Sequence, residues 1–200
     1  STILLQKRAN RWFPVIEPIL KENNIPQDFK YLALIESGLE NVTSPAGAKG
    51  FWQFMKKTGR EYGLEVNSGI DERYNVEKST VAACKYLNEA YERYGNWTIV
   101  AAAYNAGNRR IKEELEDQEV NNYYDLLLNT ETARYVFRIL AIKTIFENPG
   151  KFGFYIDEED LYPPIPTKKI KVTNTIHNLV EFARQHNITY KTLKIFNPWI

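Results

Sequence analysis

Asp28-Phe29-Lys30-Tyr31-Leu32-Ala33-Leu34-Ile35-Glu36-Ser37-Gly38 decides how this chain folds. Phe29, Tyr31, Leu32, Ala33, Leu34 and Ile35 cover nearly every side of a short helix. A helix apolar all round is a buried one. Glu36 follows Phe29 by seven residues and Leu32 by four, so it continues the apolar face. Ionising a carboxylate there is costly unless something pairs with it. Its pKa is expected to be raised, as a general acid at neutral pH requires. A Glu at a helix end can also swing out to water. Ser37-Gly38 breaks the helix directly after it, and residues 41–50, rich in Ser, Pro, Gly and Asn, read as a loop leading to Gly50-Phe51-Trp52-Gln53-Phe54. That context places the acid at the lip of a cleft.

Outward from this stretch the pattern stays helical. Residues 3–21 have helical spacing, with Pro14 and Pro18 expected to limit or kink the helix. Residues 76–94 carry Thr80, Ala83, Cys84, Leu87, Ala90, Tyr91 and Tyr94 on one stripe. Asn96 suits the cap of a helix from 97 to 104, with Gly107 as its stop, and residues 132–147 form another helix before Asn148-Pro149-Gly150. Alternating strand patterns are scarce before Lys169, so the fold class is mainly α. Tyr162-Pro163-Pro164-Ile165-Pro166 reads as a stiff extended linker. Charge shifts at the same point. Residues 163–200 hold six basic residues against Glu181, about +5, and the remainder holds 20 basic against 24 acidic, about −4. The expected division is a body of residues 1–162 and an appendage of residues 163–200.

Composition narrows the chemistry. The 200 residues include one Cys, and the two His, His177 and His186, both lie near the C-terminal end. A disulfide framework and a multi-cysteine zinc site are excluded, and residues 1–176 cannot build a His-based triad or a His-ligated metal site. No metal and no cofactor are expected. Cys84 lies on an apolar stripe and reads as a buried, inert thiol. A net charge of +1 gives no global argument for nucleic acid, and 14% aromatic residues argue against disorder. No stretch reaches the ~18 apolar residues of a membrane span. The first residues, Ser1 to Lys7, do not read as a secretory signal, which fits a mature or trimmed chain. Glycoside cleavage ordinarily uses two carboxylates. Glu40, Glu61, Asp71 and Glu72 lack the apolar context of Glu36 and read as solvated charges.

Four stretches in order carry a family resemblance: Leu34-Ile35-Glu36-Ser37-Gly38, then Ser44-Pro45-Ala46-Gly47-Ala48-Lys49-Gly50-Phe51-Trp52-Gln53-Phe54-Met55, then Ala102-Ala103-Tyr104-Asn105-Ala106-Gly107, then Glu131-Thr132-Ala133-Arg134-Tyr135-Val136. Together they resemble the lytic transglycosylases of the soluble-lytic-transglycosylase and goose-type-lysozyme-like superfamily (glycoside hydrolase family 23), and within it the membrane-bound murein transglycosylase D group. Many members have Leu-Met-Gln where this chain has Phe51-Trp52-Gln53. The resemblance spans about residues 28–154 and implies a goose-type lysozyme-like helical fold.

It also implies non-hydrolytic cleavage of the bond between N-acetylmuramic acid and N-acetylglucosamine. Glu36 would act first as acid and then as base, with the substrate's acetamido group assisting and a 1,6-anhydro sugar as product. The partner is the peptidoglycan glycan strand. The location is the cell envelope, on the periplasmic side, with a signal or an outer-membrane anchor absent from this chain. By residue type alone, Tyr104 and Tyr135 are core or cleft aromatics; the motif match makes them site residues able to hydrogen-bond Glu36 or substrate. Gln53 and Asn105 offer amides suited to an N-acetyl group and hydroxyls. Ser37 and Ser44 offer hydroxyls, though Ser37 also suits a helix cap. Phe51 and Trp52 suit either stacking on sugars or packing the loop. The rival readings are a goose-type-lysozyme-like hydrolase of the same bond and a catalytically silent peptidoglycan-binding protein.

In the appendage, Lys169-Ile170-Lys171-Val172 reads as a short strand, residues 175–186 and 189–196 as helices, and the order is similar to a LysM peptidoglycan-binding module. The usual Gly-Asp-Thr turn is replaced by Thr173-Asn174-Thr175. The appendage is thus expected to be α/β and LysM-like.

Overall fold

The computed structural model describes residues 1–200 and contains helices, loops and three isolated β-bridges, with no sheet. Helix α1 (Thr2–Glu22) runs through both Pro14 and Pro18, where a kink or stop was expected. Both prolines face solvent, so water takes up the carbonyls they leave unpaired, while Ala9, Ile16 and Leu20 are buried on the inner face. Helix α2 (Lys30–Ser37) is the buried segment the sequence indicates, with Tyr31 to Leu34 in the core. Gly38 ends it at φ 63°, a left-handed conformation that glycine adopts without strain.

Helices α3 (Lys56–Glu61) and α4 (Val76–Tyr94) follow the loop. Asn75 caps α4 by accepting from Lys78 N at 3.0 Å. Thr80, Ala83, Cys84, Leu87 and Ala90 are buried as the stripe predicts, whereas Tyr91 stays at the surface and stacks on Trp97 with ring centroids 4.1 Å apart. Helix α5 (Trp97–Ala106) buries Ile99 to Ala103 in one run and lies between α4 and helix α7 (Thr130–Glu147). Helix α6 (Asn108–Asp117) was not apparent in the pattern. It buries only Ile111 and is otherwise a solvated face of (i, i+4) pairs such as Arg109–Glu113 at 2.7 Å. Thirty-one buried residues between Ala9 and Ile139 form one core.

Beyond Ile139 the buried residues are Ala183 and Leu193. The strand expected over Lys169-Ile170-Lys171-Val172 is absent, because that stretch has no neighbouring strand to satisfy its backbone. Helix α8 (Leu179–Gln185) begins later than expected, where Asn178 caps Val180 N and Glu181 N, and helix α9 (Tyr190–Phe196) packs against it. Few bonds join this segment to the rest: Asn10 Nδ2 donates to Tyr162 O at 3.0 Å, Arg11 Nε to Pro163 O at 3.1 Å, Asp71 N to Trp199 O at 2.8 Å, and Lys169 Nζ to Glu77 Oε2 at 2.5 Å. No helix is long and apolar enough to cross a membrane.

Candidate active site

Glu36 occupies the last turn of α2 and is half-buried. The Tyr135 hydroxyl, brought in from α7, hydrogen-bonds Glu36 Oε1. Burial pushes the Glu36 carboxyl above its usual range and outweighs the opposing pull of the Tyr135 bond and the Arg138 cation, while Glu131 pushes the same way as burial. Glu131, Tyr135 and Arg138 lie at i, i+4 and i+7, on one face of α7. That spacing was readable in the sequence, yet Glu131 and Arg138 were not singled out. Arg8, which also escaped notice, reaches from α1 to donate to Gly38 O at 3.2 Å and pairs with Glu40 at 2.6 Å. It thereby braces the end of the helix that carries Glu36.

The loop after α2 is fixed by its aromatic residues. Trp52 is 0% exposed. Its indole Nε1 donates to Thr80 Oγ1 at 2.9 Å on α4, and its carbonyl accepts from the Tyr104 hydroxyl at 2.6 Å on α5. Phe51 is also buried, edge-on to Trp12 at 5.1 Å. The expectation that Trp52 serves as a substrate platform is therefore corrected. A wholly buried ring cannot stack on a sugar, and both aromatics instead anchor the loop. Gly50 is required there: at φ 76° a Cβ would lie 1.9 Å from Arg73 O.

Tyr104 does not hydrogen-bond Glu36. Its phenol, raised well above its ordinary pKa by burial first and by the Glu36 charge next, keeps its proton and spends it on the Trp52 carbonyl. Ser37 Oγ lies 3.1 Å from Ala33 O and 2.9 Å from Phe51 O, and accepts from Leu39 N at 3.2 Å. It closes the helix end onto the loop, as a cap would. Ser44 Oγ accepts from Ala48 N at 3.0 Å, which leaves its hydroxyl proton uncommitted. Gln53 sits at φ 51° and turns its Nε2 back onto Gly50 O at 2.7 Å and Val42 O at 3.3 Å, leaving Oε1 free. Asn105 Nδ2 donates to Glu131 Oε1 at 3.2 Å, and Asn105 Oδ1 accepts from Thr132 Oγ1 at 2.9 Å.

The other carboxylates have separate work. Asp71 takes a bidentate bond from Arg73 at 2.8 Å on each oxygen. Burial pushes the Asp71 carboxyl up, but Arg73 and Lys49 outweigh it and hold the group below its usual range. Arg73 also donates to Gly47 O at 3.2 Å and Phe54 O at 3.1 Å, binding both ends of the loop. Glu72 is buried and accepts from Glu65 N at 2.8 Å. Asp71 and Glu72 are thus structural groups, not the solvated charges their sequence context suggested. Burial pushes the Cys84 thiol up to about 12, so it carries no thiolate. A half-buried acid with one oxygen held by a phenol and the other free can deliver a proton at neutral pH and take one back.

Comparisons with known proteins bear on the family and the fold. The family model of the transglycosylase SLT domain matches residues 13–127. That of the soluble lytic transglycosylase C-terminal LysM-like domain matches residues 168–200. Membrane-bound lytic murein transglycosylase D of Escherichia coli is 28% identical over 199 residues, covering 96% of this chain and 43% of the relative. The chain therefore spans less than half the length of that relative. A putative tributyltin chloride resistance protein of an Alteromonas species is 25% identical over 135 residues, 66% of this chain and 65% of that protein. Among solved structures, the 70 kDa soluble lytic transglycosylase of E. coli superposes with a TM-score of 0.56 at 25% identity, over 68% of this chain and 24% of that one. An inactive mutant of lytic transglycosylase Slt from Pseudomonas aeruginosa superposes at 0.52 and 20% identity, over 76% and 26%, and speaks for the fold alone.

Proposed function

The chain belongs to the transglycosylase SLT family, and from that premise we propose that it is a peptidoglycan lytic transglycosylase. The observation that carries the reading is Glu36: a half-buried carboxyl with raised proton affinity, gripped at one oxygen by Tyr135. With Oε1 held, the acidic proton resides on Oε2, where it protonates the oxygen between N-acetylmuramic acid and N-acetylglucosamine. The bond to the anomeric carbon breaks and the N-acetylglucosamine end leaves. The acetamido oxygen of the substrate stabilises the cationic anomeric centre, so no protein nucleophile is needed. Glu36, now a carboxylate, takes the proton from the muramic acid 6-hydroxyl as that oxygen closes on the anomeric carbon. The carboxyl regains its proton, no water is consumed, and the product is a 1,6-anhydro end.

Tyr135 holds the rotamer of Glu36, and Tyr104 holds the loop through the Trp52 carbonyl. The Ser44 hydroxyl and Gln53 Oε1 retain the capacity to meet substrate. Ser37 serves the loop. Residues 1–162 form the catalytic body, and residues 163–200 a LysM-like module that contacts glycan. The enzyme works in the periplasmic part of the cell envelope, in association with the outer membrane.

The test is mass spectrometry of purified sacculi after digestion. The account expects new glycan ends lighter by one water than reducing ends, and none with Glu36→Gln. Reducing ends alone would make the protein a hydrolase of the same bond. No cleavage by the unaltered protein would make it a binding protein.

A further inference from the structure

Asn105 carries an amide of the kind that recognises an N-acetyl group, but each end of it already has one protein partner. Its NH2 is given to Glu131 and its carbonyl to the Thr132 hydroxyl, at 3.2 Å and 2.9 Å. Thr132 is itself 1% exposed and beyond the reach of a sugar. Around it the start of α7 is closely held: Asn129 Oδ1 accepts from Thr132 N at 3.0 Å, and the buried Tyr123 hydroxyl donates to Thr132 O and Ala133 O. Tyr135 lies three residues further on, so the rotation of this first turn sets where its hydroxyl points. Tyr135 is the one side chain that hydrogen-bonds Glu36.

We propose that Asn105 is a positioning residue that locks the first turn of α7 onto the end of α5 and so aims Tyr135 at Glu36, and that it does not contact substrate. This rests on the reading of Glu36 given above. The same amide also places Glu131, so it governs two influences on one carboxyl: the phenol bond and a neighbouring charge. The groups facing Glu36 are Tyr135, Arg138 and Glu131 from α7 and Tyr104 from α5. Losing the Tyr135 bond removes the stronger of the influences that Asn105 controls, so the proton affinity of Glu36 rises.

The experiment compares Asn105→Ala, Thr132→Val and Thr132→Ser in the full chain. Cleavage of soluble glycan fragments is followed across pH, and glycan binding is measured with each change on a Glu36→Gln background. Misaiming a holding group by about an ångström costs on the order of a hundredfold in rate. Asn105→Ala and Thr132→Val are expected to lower kcat by about tenfold to a hundredfold, to move the alkaline limb of the rate profile upward, and to leave binding within about twofold. Thr132→Ser keeps the hydroxyl and the rate. The proposal is overturned if Asn105→Ala weakens binding tenfold with kcat intact, or if Thr132→Val leaves kcat and the pH limb unmoved. Should either variant unfold, Asn105→Asp decides by the same readouts. It keeps the acceptor for Thr132 and loses the donor to Glu131, so a loss confined to binding again overturns the proposal. Failure of the underlying reading looks different: the unaltered protein would then be inactive, or Glu36→Gln as active as it.

Discussion

The chain up to Ile139 and the chain after it are built by different means. The first holds the 31-residue core; in the second, Ile142 and Phe146 at the end of α7 still pack against that core, and beyond them only Ala183 and Leu193 are buried. Burial is what separates their chemistry. Glu36, carried on a core helix, has its proton affinity displaced, whereas the acids of α6 sit in water opposite their lysines and arginines and serve solubility. On the proposed reading Glu36 is the acid because it is carried on a helix packed into the core and burial raises its proton affinity.

Breaking the contrast at its centre should have the largest effect. Glu36→Gln is expected to reduce cleavage of sacculi by about 10³-fold, the scale of general acid–base catalysis, with the melting transition retained. Removing the ring that anchors the loop comes next: Trp52→Ala should cost roughly 3–5 kcal/mol of stability in a denaturant titration, because the site it empties is in the packed core. Phe196→Ala, at a position 41% exposed in the appendage, should stay within about 0.5 kcal/mol.

A subtler effect concerns pH. The folded-state pKa of Glu36 lies above its unfolded value, so the folded protein binds this proton more tightly. Stability therefore falls as pH rises from the usual carboxylate range through the raised value. Glu36→Gln removes that loss, and should melt at a higher temperature than the unaltered protein at neutral pH and at nearly the same temperature in acid. The smallest change expected is Lys169→Ala. The Lys169–Glu77 pair at 2.5 Å is exposed on both sides, so its loss should lower the unfolding free energy from a denaturant titration by less than about 0.5 kcal/mol.

The same division decides how much of the molecule is legible in its sequence. The helices of the core announce themselves because burial imposes periodicity, as in α4 and in the continuous apolar run of α5. α6, with Ile111 as its one buried residue, leaves almost no pattern, and the stretch Lys169-Ile170-Lys171-Val172 alternates like a strand but has nothing to pair with. Glu36 and Tyr135 were visible from apolar context and motif, and the structure brings them into contact. The donor and acceptor assignments were not visible, because they depend on distant partners. Trp52 meets Thr80, Arg8 meets Gly38, and Asn105 meets Thr132, pairs 27 to 30 residues apart. Nothing local in the sequence says that the Trp52 ring turns inward, or that each end of the Asn105 amide takes a partner on α7.

The central claim is that Glu36 completes the reaction without water. Digesting sacculi in ¹⁸O-labelled water and weighing the released muropeptides tests it most directly. The account predicts anhydro ends that carry no label. One ¹⁸O atom at each new reducing end would contradict it.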